Sequence, residues 1–109
     1  MKLQGEYASG HLCIRLRGEL DHHSARETLR EIEALLDRYL PRSCAMDLSA
    51  LSFMDSSGIA VFLQAKKRLS EIRGSLWILD PAPQPERVLS ASGMERFIQI
   101  KHRKGTTVP

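Results

Sequence analysis

With 109 residues, 42% of them hydrophobic and 27% charged, the chain is expected to form a single globular domain. That length allows one core without disulfide or metal staples and leaves little room for an elaborate active site. The net charge of +3 is modest, and much of the excess sits in Lys101-His102-Arg103-Lys104, which reads as a solvated tail and not as a nucleic-acid-binding face. The longest apolar run, Ile59 to Leu63, falls far short of the roughly 20 residues a membrane helix needs. Met1 to Glu6 lacks a secretory core, so a cytoplasmic protein with no membrane contact is expected.

The elements follow in order. Leu3 to Tyr7 and Leu12 to Leu16 flank Ala8-Ser9-Gly10, and Leu12, Ile14 and Leu16 alternate with Cys13 and Arg15, the pattern of an opening hairpin. After Gly18 the period becomes helical, with Ala25, Leu29, Ile32, Leu36 and Tyr39 or Leu40 on one face. This predicts a helix from about Ser24 to Leu40, stopped at Pro41. Cys44 to Leu48 reads as a buried strand, and a second helix is expected from Ser57 to about Ile72, before Gly74. Leu76 to Leu79 is another buried strand, Asp80-Pro81-Ala82-Pro83 a rigid loop, Pro85 to Ser92 a short helix ended by Gly93, and Phe97 to Ile100 a closing strand.

The order β-β-α-β-α-β-α-β predicts a single α/β domain over residues 1–102, a mixed sheet of about five strands largely covered by helices, with residues 103–109 as a polar tail. Cys13 and Cys44 both lie in apolar segments, with no CxxC spacing or paired His, and read as small buried thiols.

One stretch stands apart from scaffold. In "SFMDSSGIAVFL", residues 52–63, Asp55, Ser56, Ser57 and Gly58 occupy a strand-to-helix turn. A capping side chain there accepts a hydrogen bond from the first helical turn, worth about 1 kcal/mol. One cap suffices, which leaves the other oxygens over, and Gly58 costs about 1 kcal/mol relative to Ala, as if something must approach the backbone closely. The alternative is that Ser56 is presented for phosphorylation, where free N–H donors and the helix dipole would favour a phosphate beside Asp55. On the residues alone both readings stand.

A serine hydrolase is a third reading, with Ser56 as nucleophile and His22 or His23 as base, but the G-x-S-x-G pattern is absent. The second cluster is Gly18-Glu19-Leu20-Asp21-His22-His23. Adjacent histidines point to different faces of a helix, which disfavours a metal site, and Asp21 or Ser24 is expected to cap the first helix. Both clusters follow strands at their carboxyl ends, so they are expected side by side, forming one interaction surface. On the second helix, Phe62 and Leu63 are expected in the core, with Ile59 or Val61 available to a partner.

"RLRGELDHHSA", "LSFMDSSGIAVFL" and "LSASGM" resemble the STAS-domain anti-sigma factor antagonists, most closely the sporulation branch that antagonises the anti-sigma F factor. The likeness runs from about Leu12 to Ile100. It implies a non-enzymatic binding module whose partner is an anti-sigma factor that is itself a serine kinase. The unphosphorylated form would dock on that kinase and release the sigma factor, phosphorylation of Ser56 would switch binding off, and a metal-dependent serine phosphatase would restore it. ATP and magnesium would belong to the kinase, with no cofactor on this chain. Asp21, His22, His23, Asp55, Ser57, Gly58 and Ile59 would dock the partner and shape the phosphosite. A STAS module of another stress-response sigma circuit is the alternative within the same chemistry. Where members of the family usually carry a further helix after the last strand, this chain passes into its polar tail, and one sheet surface is expected to be less covered.

Overall fold

The computed structural model describes residues 1–103. Five strands form one sheet in the order β1-β2-β3-β4-β5: β1 (Lys2–Ala8), β2 (His11–Leu20), β3 (Ser43–Met54), β4 (Ser75–Leu79) and β5 (Gln99–Lys101). β1 is antiparallel to β2, and every later neighbour pair is parallel. Helices α1 (Ala25–Tyr39), α2 (Ser56–Glu71) and α3 (Pro83–Ser92) connect the parallel strands. The strand order always advances the same way, so right-handed crossovers set all three helices on one face.

That face is the core. Leu12, Ile14 and Leu16 of β2 and Met46 and Leu48 of β3 are fully buried against Ile32 and Leu36 of α1 and Phe62, Ala65 and Leu69 of α2. The covering predicted for the sheet is therefore one-sided. The opposite face is polar and is organised around Asp47, which is 3% exposed. Its Oδ1 accepts hydrogen bonds from the Ser49 N–H at 3.0 Å and the Ser49 hydroxyl at 2.8 Å. Its Oδ2 meets Arg103 at 3.0 Å and Arg15 at 3.6 Å. Burial pushes the Asp47 carboxyl up, but the two Ser49 hydrogen bonds and the two guanidiniums outweigh it and hold it below the ordinary carboxylate range.

Several boundaries differ from those predicted, each for a local reason. β3 continues past Leu48 to Met54, because register shifts opposite Arg15–Arg17 and Gly18–Glu19 break its alternation and disguise the second half as loop. Phe97 is not in the last strand. It stands 61% exposed after a 3-10 turn, Met94–Arg96, while Ile98 is buried. The start of the expected tail is tied down: Lys101 lies over Trp77, His102 meets Glu86 at 3.1 Å, and Arg103 pairs with Asp80 at 2.7 Å as well as with Asp47. Lys104 and the rest of the tail lie outside the described residues. Only Cys44 is a fully buried thiol, pushed up to about 12 by burial, whereas Cys13 is half-buried on the polar face.

The length of β3 positions the site. β4 pairs with β3 only from Ser43 to Asp47 and β1 with β2 only as far as Arg17, so β2 and β3 run on together as a two-stranded arm from Gly18 and Leu51 to Leu20 and Met54. Past β4, Gln84 at the start of α3 takes the missing strand's place: its amide accepts from the Met54 N–H at 2.8 Å and donates to the Met54 carbonyl at 3.0 Å. Orphaned backbone groups at the arm's tip are thereby satisfied by one side chain.

Candidate functional site

The turns that lead into α1 and α2 meet at the end of this arm. Asp55 follows Met54 in an extended conformation, and its N–H donates to the Leu20 carbonyl at 3.3 Å. Its carboxylate serves both turns. Oδ1 accepts from the Ser57 N–H at 2.8 Å, capping α2, and Oδ2 accepts from the His22 N–H at 3.2 Å, across to the neighbouring turn. The adjacency expected of the two clusters is thus made by one residue.

The His22 turn is built on Asp21, whose Oδ1 accepts from the His23 N–H at 2.9 Å and the Ser24 N–H at 3.0 Å. The Ser24 N–H, then that of His23, holds the Asp21 carboxyl below its ordinary value of 3.8. Ser24 precedes α1 but does not cap it: its hydroxyl donates to the Glu19 carbonyl at 3.1 Å and accepts from the Asp21 N–H at 3.1 Å. His22 and His23 are exposed, their rings edge to face at 5.4 Å. Neither imidazole hydrogen-bonds the Ser56 hydroxyl among the described residues, and no metal-holding cluster occurs among them.

Ser56 is the first residue of α2 and is exposed. With Asp55 acting as cap, the Ser56 hydroxyl enters no hydrogen bond among the described residues. Ser57, half-buried behind it, contributes its backbone N–H to the cap. Ile59 is also half-buried and lines, with Ser56, Gln84, Arg87 and Val88, an open groove of about 530 Å³ between α2 and α3.

Two readings need correction, those of Gly58 and Leu63, and the choice left open between Ile59 and Val61 is decided. Gly58 is buried and faces inward, where a Cβ would lie 2.5 Å from Cγ of Met54 and 3.1 Å from Cδ2 of Leu20. The close approach inferred at Gly58 is that of the protein's own arm, against which it seats α2. Val61 is 3% exposed and belongs to the core, whereas Leu63, expected inside, is 42% exposed. Residues 59–63 run around the whole helix, and the apolar string alone does not set the phase of the buried stripe. Gln84 and Arg87 were missed, because a polar pair in a proline-bounded short helix has no distinguishing pattern until the groove forms.

Comparison with known proteins agrees with this fold. The STAS domain family matches residues 3–106. The chain is 31% identical over 100 residues to an anti-sigma F factor antagonist of Paenibacillus polymyxa, spanning 92% of this chain and 86% of the relative. It is 36% identical over 83 residues to that of Lysinibacillus sphaericus, spanning 76% and 71%. Among solved structures, the unphosphorylated form of the anti-sigma factor antagonist SpoIIAA superposes with a TM-score of 0.78 at 27% identity, over 96% of this chain and 92% of that one. Its phosphorylated form, described as a Bacillus cell fate determinant, superposes with a TM-score of 0.68 at 27% identity, over 96% of each chain. Strand and helix order agree, and the chain belongs to the STAS-domain family of anti-sigma factor antagonists.

Proposed function

We propose that this protein is a phosphorylation-controlled binding module that antagonises an anti-sigma factor. The unmodified arm tip, formed by Asp21, His22, His23, Asp55, Ser56, Ser57 and Ile59, docks on an anti-sigma serine kinase and displaces its sigma factor. The kinase, with its own ATP and magnesium, phosphorylates Ser56; the added charge weakens docking, and a metal-dependent serine phosphatase resets the surface. No cofactor of this chain takes part, and the setting is the cytoplasm.

The observation that carries the reading is the division of labour at the turn. Asp55 does the capping, so the exposed Ser56 hydroxyl is left without a structural task among the described residues. A related protein is known in unphosphorylated and phosphorylated forms, which supports the same chemistry here. The relatives named for anti-sigma F make that kinase the first partner to try. Incubation with ATP, magnesium and the kinase, followed by mass spectrometry, is expected to place one phosphate on Ser56 and none on Ser56→Ala. An unmodified wild-type chain, or phosphate persisting in Ser56→Ala, refutes the proposal.

A further inference from the structure

A phosphate on Ser56 would bring about −1.5 to −2 charges to a place with fewer donors than a bare helix start offers. The Ser57 N–H is taken by the Asp55 carboxylate and the Gly58 N–H by the Asp55 carbonyl. Asp55 is itself an anion one residue away. Of the first three N–H groups of α2, only that of Ser56 is without a partner among the described residues, so the main chain offers such a group a single donor, and a side-chain cation is called for.

The groove beside Ser56 contains one. Arg87 lines it from α3, while Ile59 and Val88 supply apolar walls and Gln84 stands between α3 and the arm. Gln84 is locked to both backbone groups of Met54, which fixes the first turn of α3 against the residue preceding Asp55. Arg87 lies three positions further on, close to one turn along the same helical face. Its acidic neighbour Glu86 pairs with His102, and Arg87 itself is exposed and makes no ion pair among the described residues. A guanidinium presents its donors in a planar fork suited to a phosphate.

We propose that Arg87 is the clamp for phosphorylated Ser56: the phosphate turns into the α2–α3 groove and pairs with the Arg87 guanidinium on the protein's own surface. This rests on the reading of Ser56 as the phosphoacceptor and adds what becomes of the charge. Modification then changes the docking surface twice, by adding an anion at the arm tip and by drawing a side chain across the groove that the unmodified form leaves open.

The test uses full-length protein carrying genetically encoded phosphoserine at position 56, so that no kinase is needed. The probe is the phosphate itself, titrated by phosphorus NMR. A nearby cation favours the dianion, so the clamp lowers the second phosphate pKa, and its removal raises it. The expected midpoint in Arg87→Gln is about 0.5 higher than in the parent, with most of the difference restored by Arg87→Lys and most of it lost in 1 M salt. Arg73→Gln, just beyond the opposite end of α2, whose Ser56–Glu71 span rises about 22 Å at 1.5 Å per residue, is the charge-matched control and should titrate like the parent. Circular dichroism checks that each variant is folded, and Arg87 is a surface position. Identical midpoints in the parent and Arg87→Gln, or an equal rise in Arg73→Gln, overturn the clamp. A kinase that leaves Ser56 unmodified would defeat the proposed function without altering this titration.

Discussion

The turns leading into α1 and α2 are built from the same parts and put them to different use. Each follows a strand of the β2–β3 arm, and each has an aspartate whose carboxylate receives backbone N–H groups, followed by serine. At α1 the Ser24 hydroxyl is enclosed, bonded to the Glu19 carbonyl and the Asp21 N–H. At α2 the Ser56 hydroxyl is exposed and enters no hydrogen bond among the described residues. The third helical residue differs too: Glu27 of α1 is exposed, whereas Gly58 of α2 is buried against Met54 and Leu20. The lesson is that a serine beside a helix start becomes available for chemistry when another residue does the capping and a small residue lets the helix sit close to its support.

The sharpest test of the contrast is modification. Ser56→Ala should abolish phosphorylation by the kinase and leave stability nearly unchanged. Ser24→Ala should remain a full substrate while losing about 1 kcal/mol in urea unfolding, from two broken hydrogen bonds at a half-buried site. A Ser24→Ala chain that is stable but unmodified would reverse the assignment.

Next in size is the seat of α2. Gly58→Ala should lower unfolding free energy by about 1–2 kcal/mol, as crowding against Met54 outweighs the roughly 1 kcal/mol of helix propensity gained. A stabilised variant in urea melts would show that Met54 yields freely and that glycine is not required there.

Asp55→Ala should cost about 1 kcal/mol, the usual value of a cap, and should also release the His22 turn. Faster exchange of the His22 and Ser57 amides together would confirm that one carboxylate ties the two turns, while loss of Ser57 protection alone would separate them.

The smallest effect concerns pH. The native Asp21 carboxyl titrates below its ordinary value of 3.8, so its contacts favour the folded state fully above about pH 4 and are lost as pH falls through the native midpoint. Carbon-detected titration should place that midpoint under 3.8, with the His23 and Ser24 amide shifts moving in parallel. A midpoint at or above 3.8 would remove Asp21 as the support of the turn before α1.

Much of this was legible in the chain because it depends on local pattern. The alternation at Leu12, Ile14 and Leu16 and the three- and four-residue steps from Ala25 to Leu36 report periods of two and 3.6 directly. The second half of β3 was not legible, because its register shifts space the buried Leu51 and Met54 three apart, which is neither strand alternation nor loop. The anchoring of Arg103 was hidden for another reason: a basic run looks solvated until Asp47 and Asp80 are placed beneath it.

Neighbouring residues alone encode the order of elements, the one-domain α/β plan and the two motif strings that mark the family. Folding in three dimensions settled which oxygen at Asp55-Ser56-Ser57 is the cap, which way Gly58 faces, and that Arg87 shares a groove with Ser56. These are contacts between elements distant in the chain, set by where the β2–β3 arm outruns β4 and where Gln84 fastens α3 to it.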